Sequence, residues 1–174
     1  MAASVKIRPL GEPGDLGWVV MAHGETYAVE FGWDTSFEAL VARIVADYAA
    51  DHDPEREGAW IAEVDGRRAG CVFCVAKDSD TAQLRILLVD PAARGLGIGR
   101  RLVEGCVGFA KVAGYRRMIL WTNDPLTSAA RIYLAAGFSL VGEEPHRSFG
   151  MDLVGQTYEV DLTVGESAPP AGRG

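Results

Sequence analysis

The run Ile86-Leu87-Leu88-Val89-Asp90-Pro91-Ala92-Ala93-Arg94-Gly95-Leu96-Gly97-Ile98-Gly99-Arg100-Arg101-Leu102 limits most tightly how this chain can fold. A short β-rich apolar stretch ends at Asp90-Pro91, glycines follow at the alternate positions 95, 97 and 99, and an apolar-periodic helix is predicted from near Gly99. Glycine lets the backbone approach a ligand closely and adopt positive φ without a Cβ clash. A strand, a glycine-rich turn and a helix start in succession aim free N–H groups and the positive end of a helix at one spot. The predicted ligand is an anion of the phosphate or pyrophosphate kind.

Three phosphate-binding patterns compete for this run. A P-loop requires Lys followed by Ser or Thr after its last glycine, whereas Gly99 is followed by Arg100 and Arg101. The dinucleotide pattern G-x-G-x-x-G places its third glycine one position later. It also needs an acidic residue to hold a ribose, and Met118-Ile119-Leu120-Trp121-Thr122 leads to Asn123 instead. The third pattern, Arg/Gln-x-x-Gly-x-Gly/Ala, is matched by Arg94-Gly95-Leu96-Gly97-Ile98-Gly99. Here the sequence resembles the acetyl-CoA-binding motif of the GNAT superfamily of N-acetyltransferases. Ala129-Ala130-Arg131-Ile132-Tyr133-Leu134-Ala135-Ala136-Gly137-Phe138 is similar to the family's A-x-x-x-Y-x-x-x-G-F segment, and Trp60 to Gly70 is similar to its strand–turn–strand meander. The resemblance covers residues 5 to 162. It is closest to the acetyltransferase domains of MarR–GNAT fusion proteins, through Gly17-Trp18-Val19-Val20, His23-Gly24, Tyr27, Glu30-Phe31-Gly32-Trp33 and His146-Arg147-Ser148-Phe149-Gly150. A chain of 174 residues leaves no room for a winged-helix domain, so a stand-alone relative is expected.

One domain is expected from that length: a short N-terminal tail over 1–4, the acetyltransferase domain over 5–162 and a disordered tail over 163–174. With 48% hydrophobic residues the chain can bury a substantial core. It has no apolar run of membrane-spanning length and no signal-peptide core, which makes the cytoplasm the expected compartment. A net charge of -7 argues against nucleic acid and acidic membranes as partners. Against that background, Arg94, Arg100, Arg101, Lys111, Arg116 and Arg117 form a basic island with only Glu104 opposed, suited to CoA. Cys71 and Cys74 are three apart, which on a strand turns them to opposite faces. They are expected to be half-buried strand cysteines, and no metal is expected.

Strands are predicted over Val5–Leu10, Trp60–Val64, Ala69–Ala76, Gln83–Val89, Met118–Thr122, Phe138–Glu143 and Gln156–Leu162. Helices are predicted over Gly14–Val29, Ser36–Tyr48 with Ser36 as N-cap, Gly99–Ala113 and Thr127–Ala136. The strand–helix–strand crossover around the cradle requires a parallel pair, and the flanking hairpins are antiparallel. The fold class is α/β (α+β): a mixed, mostly antiparallel sheet of about six or seven strands with helices on both faces. The resemblance adds a splayed central parallel pair with acetyl-CoA wedged into it.

The resemblance also implies roles. The backbone at Arg94, Gly95, Gly97, Ile98, Gly99 and Arg100 would hold the pyrophosphate, with Arg94 and Arg100 adding charge. Leu88, Val89 and Asn123 would contact the pantetheine arm. Tyr133 would protonate the departing thiolate. Many relatives carry a glutamate base where Gln83 stands, and an amide takes no proton. Glu30, placed where the second helical segment begins, is taken as the base, with His23 and with His146 in a Pro145–Gly150 loop as further candidates. The implied activity is acetyl-CoA-dependent N-acetyl transfer by direct attack of a primary amine, on a small molecule or peptide. The alternative is a non-catalytic acyl-CoA-binding sensor or interaction domain. Relatives are often dimers, so a homodimer is compatible with the resemblance.

Overall fold

The computed structural model describes residues 1–163. Its elements run β1 (Val5–Pro9), α1 (Asp15–Phe31), α2 (Thr35–Asp51), β2 (Gly58–Val64), β3 (Arg67–Ala76), β4 (Thr81–Val89), a 3-10 turn (Pro91–Ala93), α3 (Ile98–Val112), β5 (Arg117–Asn123), α4 (Thr127–Ala135), β6 (Ser139–Ser148) and β7 (Met151–Asp161). The strands form one sheet in the order β1-β2-β3-β4-β5-β7-β6. Every neighbouring pair is antiparallel except β4 and β5, the pair that flanks the α3 crossover. This is the mixed sheet expected from the sequence.

The sheet separates two apolar cores. On one face α3 and α4 pack Leu102, Val103, Cys106 and Tyr133 against Val72, Cys74, Leu84 and Met118. On the other, α1 and α2 pack Val19, Tyr27, Phe37 and Val41 against Ile61, Cys71, Phe73 and Leu88. β3 serves both cores, and all six residues from Ala69 to Cys74 are buried, as a strand covered on two faces requires. Cys71 and Cys74 do face opposite cores, but each is fully buried, not half-buried. The difference follows from the helices covering this strand on both sides.

The start of α1 is fixed by charge. Asp15, with no exposed surface, accepts from Arg8 at 2.8 and 2.9 Å, from Arg68 at 2.8 Å and from the amides of Gly11 and Glu12 at 2.9 Å. The Arg8 hydrogen bonds hold its carboxyl well below the usual range, against the opposing effect of burial. Helix α1 is thereby tied to β1 and β3 at its first turn, which sets where its last turn falls.

Three local expectations are corrected. Asp34, not Ser36, caps α2, its Oδ1 accepting from the Ser36 amide at 3.0 Å. Glu30 lies in the last turn of α1, ahead of a left-handed Gly32 cap, and not at the start of a second helix. The final hairpin is much longer than predicted, turning at Phe149-Gly150, both with positive φ (59° and 79°). His146 is therefore a strand residue, not a loop residue. The expected tail beyond Thr163 lies outside the described residues.

Candidate active site

β4 and β5 pair at only three positions, Thr81–Gln83 against Arg117–Ile119, and then part. The cause lies in β4. Between Phe73↔Arg85 and Cys71↔Leu88, β4 advances three residues while β3 advances two. The surplus is taken up as a β-bulge at Ile86, whose φ of 45° is an outlier for a β-branched residue. Before the bulge Ala82 and Leu84 face the α3 core. After it Leu88 faces the α1 core, and Leu87 and Val89 face α3. The Asp90 amide bonds to Ala69 O at 2.8 Å. Strand alternation then turns the Val89 N–H to the opposite edge, where β5 has moved away.

Past this edge the chain makes its glycine turn. Gly95 and Gly97 take φ of 85° and 73°, a backbone that L side chains rarely adopt. The first helical hydrogen bond of α3 runs from Arg101 N to Gly97 O. Consequently, among the described residues, the six amides from Gly95 to Arg100 donate to no protein acceptor. Helix α4 starts at the same place, with Leu126 as a cap that offers no side-chain bond. Two helix N-termini thus open on one cleft of 570 Å³, which Leu88, Val89, Gly95, Gly97, Ile98 and Gly99 line together with Pro125 to Ala129. The positive ends of both helices favour an anion there.

Side chains close the remaining wall. Tyr27 and Glu30 reach the cleft from α1, Arg94 from the turn and Arg100 from the first turn of α3. Arg94 and Glu30 form an ion pair across it, while Arg100 is held along its own helix by Glu104 at 2.7 Å. The Tyr27 hydroxyl donates to Leu87 O at 3.4 Å, bridging α1 to the bulged strand. Behind Tyr27 stands an aromatic cluster of Phe31, Trp33 and Phe37. The hairpin tip docks on it through Phe149, 4.9 Å from Trp33 and 5.1 Å from Phe37 between ring centres.

The sequence matches the model of the acetyltransferase (GNAT) family over residues 19–138. The chain belongs to that family. An uncharacterized N-acetyltransferase of Schizosaccharomyces pombe is 30% identical over 142 residues, covering 78% of this chain and 83% of that one. N-acetylaspartate synthetase of Danio rerio is 33% identical over 85 residues, 48% of this chain and 30% of that protein. The chain spans about a third of the length of the curated relatives it matches first. Among solved structures, yncA of Salmonella typhimurium, a candidate acetyltransferase solved with acetyl-CoA as its cofactor, superposes with a TM-score of 0.75 at 19% identity. The match covers 97% of this chain and 99% of that one.

In this GNAT chain the cleft gathers Glu30, Leu88, Val89, Arg94, Gly95, Gly97, Ile98, Gly99 and Arg100 from the residues singled out in the sequence. Asn123 and Tyr133 lie behind its lining. Tyr133 is 4% exposed, between Phe138 and Tyr158 at ring-centre distances of 5.9 and 6.0 Å. Its neighbour Ile132 does line the cleft. Burial pushes the Tyr133 phenol far above its ordinary range. The carboxamide oxygen of Asn123 accepts from His146 Nε2 at 2.7 Å. His23 is 1% exposed with its Nε2 unpartnered among the described residues, and burial pushes it down to about 4. Sequence reasoning missed Tyr27 as a wall of the cleft, because on a helix stripe it is indistinguishable from core. It predicted α4 from Thr127, where the structure starts it, but did not assign that helix start to the cleft wall. Among the described residues no His/Cys/Asp/Glu group suited to a metal occurs, and no helix is long and apolar enough to cross a membrane.

Proposed function

We propose that this chain transfers an acetyl group from acetyl-CoA to a primary amine by direct attack. The observation that carries the reading is the line of unbonded amides from Gly95 to Arg100, opening on a cleft that β4 and β5 leave by parting. A pyrophosphate suits those amides, and Arg94 and Arg100 supply charge-assisted contacts. Glu30, already joined to Arg94, sets that guanidinium beside the cradle rather than standing free as a base. The exposed edge of β4 from Leu87 to Val89 offers the N–H and C=O groups that a pantetheine arm needs. The Val89 N–H is the donor for the oxyanion formed when the amine adds to the thioester carbonyl. The C–S bond then breaks, and Tyr133 protonates the thiolate, its buried phenol holding its proton until that step.

Calorimetry with acetyl-CoA tests the cradle. In Gly97→Val a branched side chain must adopt φ near 73°, at a backbone cost of about 1–3 kcal/mol. We expect a folded Gly97→Val protein to lose about tenfold or more in acetyl-CoA affinity. Unchanged affinity overturns the reading.

A further inference from the structure

His146, Asn123 and Ser148 form a hydrogen-bonded chain that the acetyl transfer described above does not use. His146 Nε2 is 2.7 Å from Asn123 Oδ1, and its Nδ1 is 2.9 Å from Ser148 Oγ. A carboxamide oxygen only accepts, so Nε2 bears the hydrogen and donates it. Nδ1 keeps its lone pair, to which the Ser148 hydroxyl donates. The ring is held in one tautomer and one orientation. Gly155 makes the contact possible. It pairs with Asn123 on one side and Glu144 on the other, and a Cβ on it would stand 2.9 Å from the Trp121 indole. Over this bare position Trp121 and His146 close to 5.3 Å between ring centres.

The location gives the chain its meaning. Leu153 belongs to the α1–α2 core, and the register puts His146 opposite it, on the same sheet face as Gly155, Asn123 and Trp121. The amide cradle begins α3, on the other face. Between the two, β4 and β5 have parted. At one end Asn123 is followed by Pro125 and Leu126 of the cleft lining. At the other, Ser148 precedes Phe149, which packs on the α1–α2 loop. Trp121 remains 49% exposed beside it. Of the other candidate bases, Glu30 is held by Arg94 and His23 is sealed in the core.

We propose that this chain removes the proton from the acceptor, a primary alkyl ammonium entering over Trp121, an inference that rests on the acetyl-transfer reading. The ammonium gives one proton to Ser148 Oγ as Ser148 passes its own to His146 Nδ1. The amine's freed lone pair forms the new C–N bond, the second proton that the nitrogen then sheds replaces the one Tyr133 gives to the departing thiolate, and His146 returns its proton to solvent after turnover. Asn123 is a positioning residue that orients the imidazolium through Nε2–H, and the indole face favours the incoming cation.

The test compares benzylamine, an ammonium at neutral pH, with aniline, which is already neutral and needs no deprotonation before attack. Thiol release at saturating acetyl-CoA is measured for the wild type, His146→Gln, Ser148→Ala and Ser148→Thr. We expect kcat on benzylamine to fall about 100-fold in His146→Gln and Ser148→Ala, within the range of positioned acid–base groups, with the acetyl-CoA KM unchanged. Turnover on aniline should change less than about threefold in the same variants, because its proton is lost only after attack. Ser148→Thr keeps a hydroxyl and should retain most of the benzylamine rate. Equal losses on both amines make the cluster structural and overturn the proposal. If His146→Gln fails to fold, the two serine variants decide by the same comparison. A wild type that binds acetyl-CoA in the calorimeter but acetylates neither amine overturns the relay and leaves the cradle standing. A wild type that does not bind acetyl-CoA removes the underlying reading itself.

Discussion

On the α3 side of the sheet the cleft is lined by main chain. Glycines, unbonded amides and the starts of two helices face it, and few side chains intrude. On the α1 side it is lined by side chains: Tyr27, Glu30 and Phe31, backed by Trp33, Phe37 and Phe149, with His146 and Asn123 at the sheet. A ligand shared by a whole family can be held by backbone geometry, which any sequence with glycines in the right places reproduces. A variable partner has to be recognised by side chains, and these come from whichever segments the fold brings near. The side-chain wall also carries a cost that the backbone wall does not. His23 Nε2 and Trp33 Nε1 are buried there without a partner among the described residues, each costing about 1–3 kcal/mol of desolvation.

The comparison breaks first at Tyr133, a side chain on the main-chain side. Tyr133→Phe removes one hydroxyl and little volume from a residue packed against Phe138 and Tyr158. If it protonates the thiolate, kcat should fall roughly 10- to 1000-fold with acetyl-CoA affinity nearly intact. Thiol release and calorimetry on the same sample check this. Undiminished turnover would mean that the α3 side works by backbone alone.

Acid should tell the two sides apart next. Burial pushes His23 from 6.5 down to about 4 in the folded protein. Between those values the unfolded chain binds the extra proton, so stability is lost as pH falls from about 6.5 toward 4. Going from pH 7.5 to 4.5 should cost the wild type about 2–3 kcal/mol through this ring. Urea midpoints for wild type and His23→Leu at both pH values measure it. Asp15, held low by Arg8, releases its contribution only at more acid pH, below its ordinary value of 3.8, which keeps the two effects separate. An equal pH dependence in His23→Leu would clear the side-chain wall of this liability.

The smallest effect sharpens what the glycines are for. Gly105, exposed and inside α3, would place a Cβ in open space, and its φ is not positive. Gly105→Ala should raise stability by about 0.5–1 kcal/mol and leave acetyl-CoA affinity alone, unlike Gly97→Val at the mouth of the same helix. A melting curve and one titration suffice. A loss of affinity in Gly105→Ala would show that α3 as a whole, not its first turn, governs the cleft.

The same division explains what could be read in advance. The cradle is a contiguous run, so its residues from Arg94 to Arg100 were visible as a pattern, and the strands that alternate or are wholly apolar were placed within a few residues. β6 was cut short because only His146 and Ser148 are shielded among its ten residues, which erases the period-2 signal. Asp34 and Ser36 are both good caps two residues apart, and only the Asp34 side chain's reach to the Ser36 amide decides between them. The meeting of Asn123 with His146 across Gly155 has no local signature at all. It depends on the register of three strands.

The surplus residue in β4 has a genetic consequence. Remove one codon between Arg85 and Leu88 and the strand comes back into phase with β3. Leu88 would still stand opposite Cys71, but the surplus that carries β4 away from β5 would be gone, and the ladder to β5 would be free to run on past Gln83. The sheet would close where it now admits a ligand. Point substitutions can tune such a slot, but an insertion or deletion in that stretch acts on its existence, so the number of residues around Ile86 matters more to the slot than the side chain that stands there.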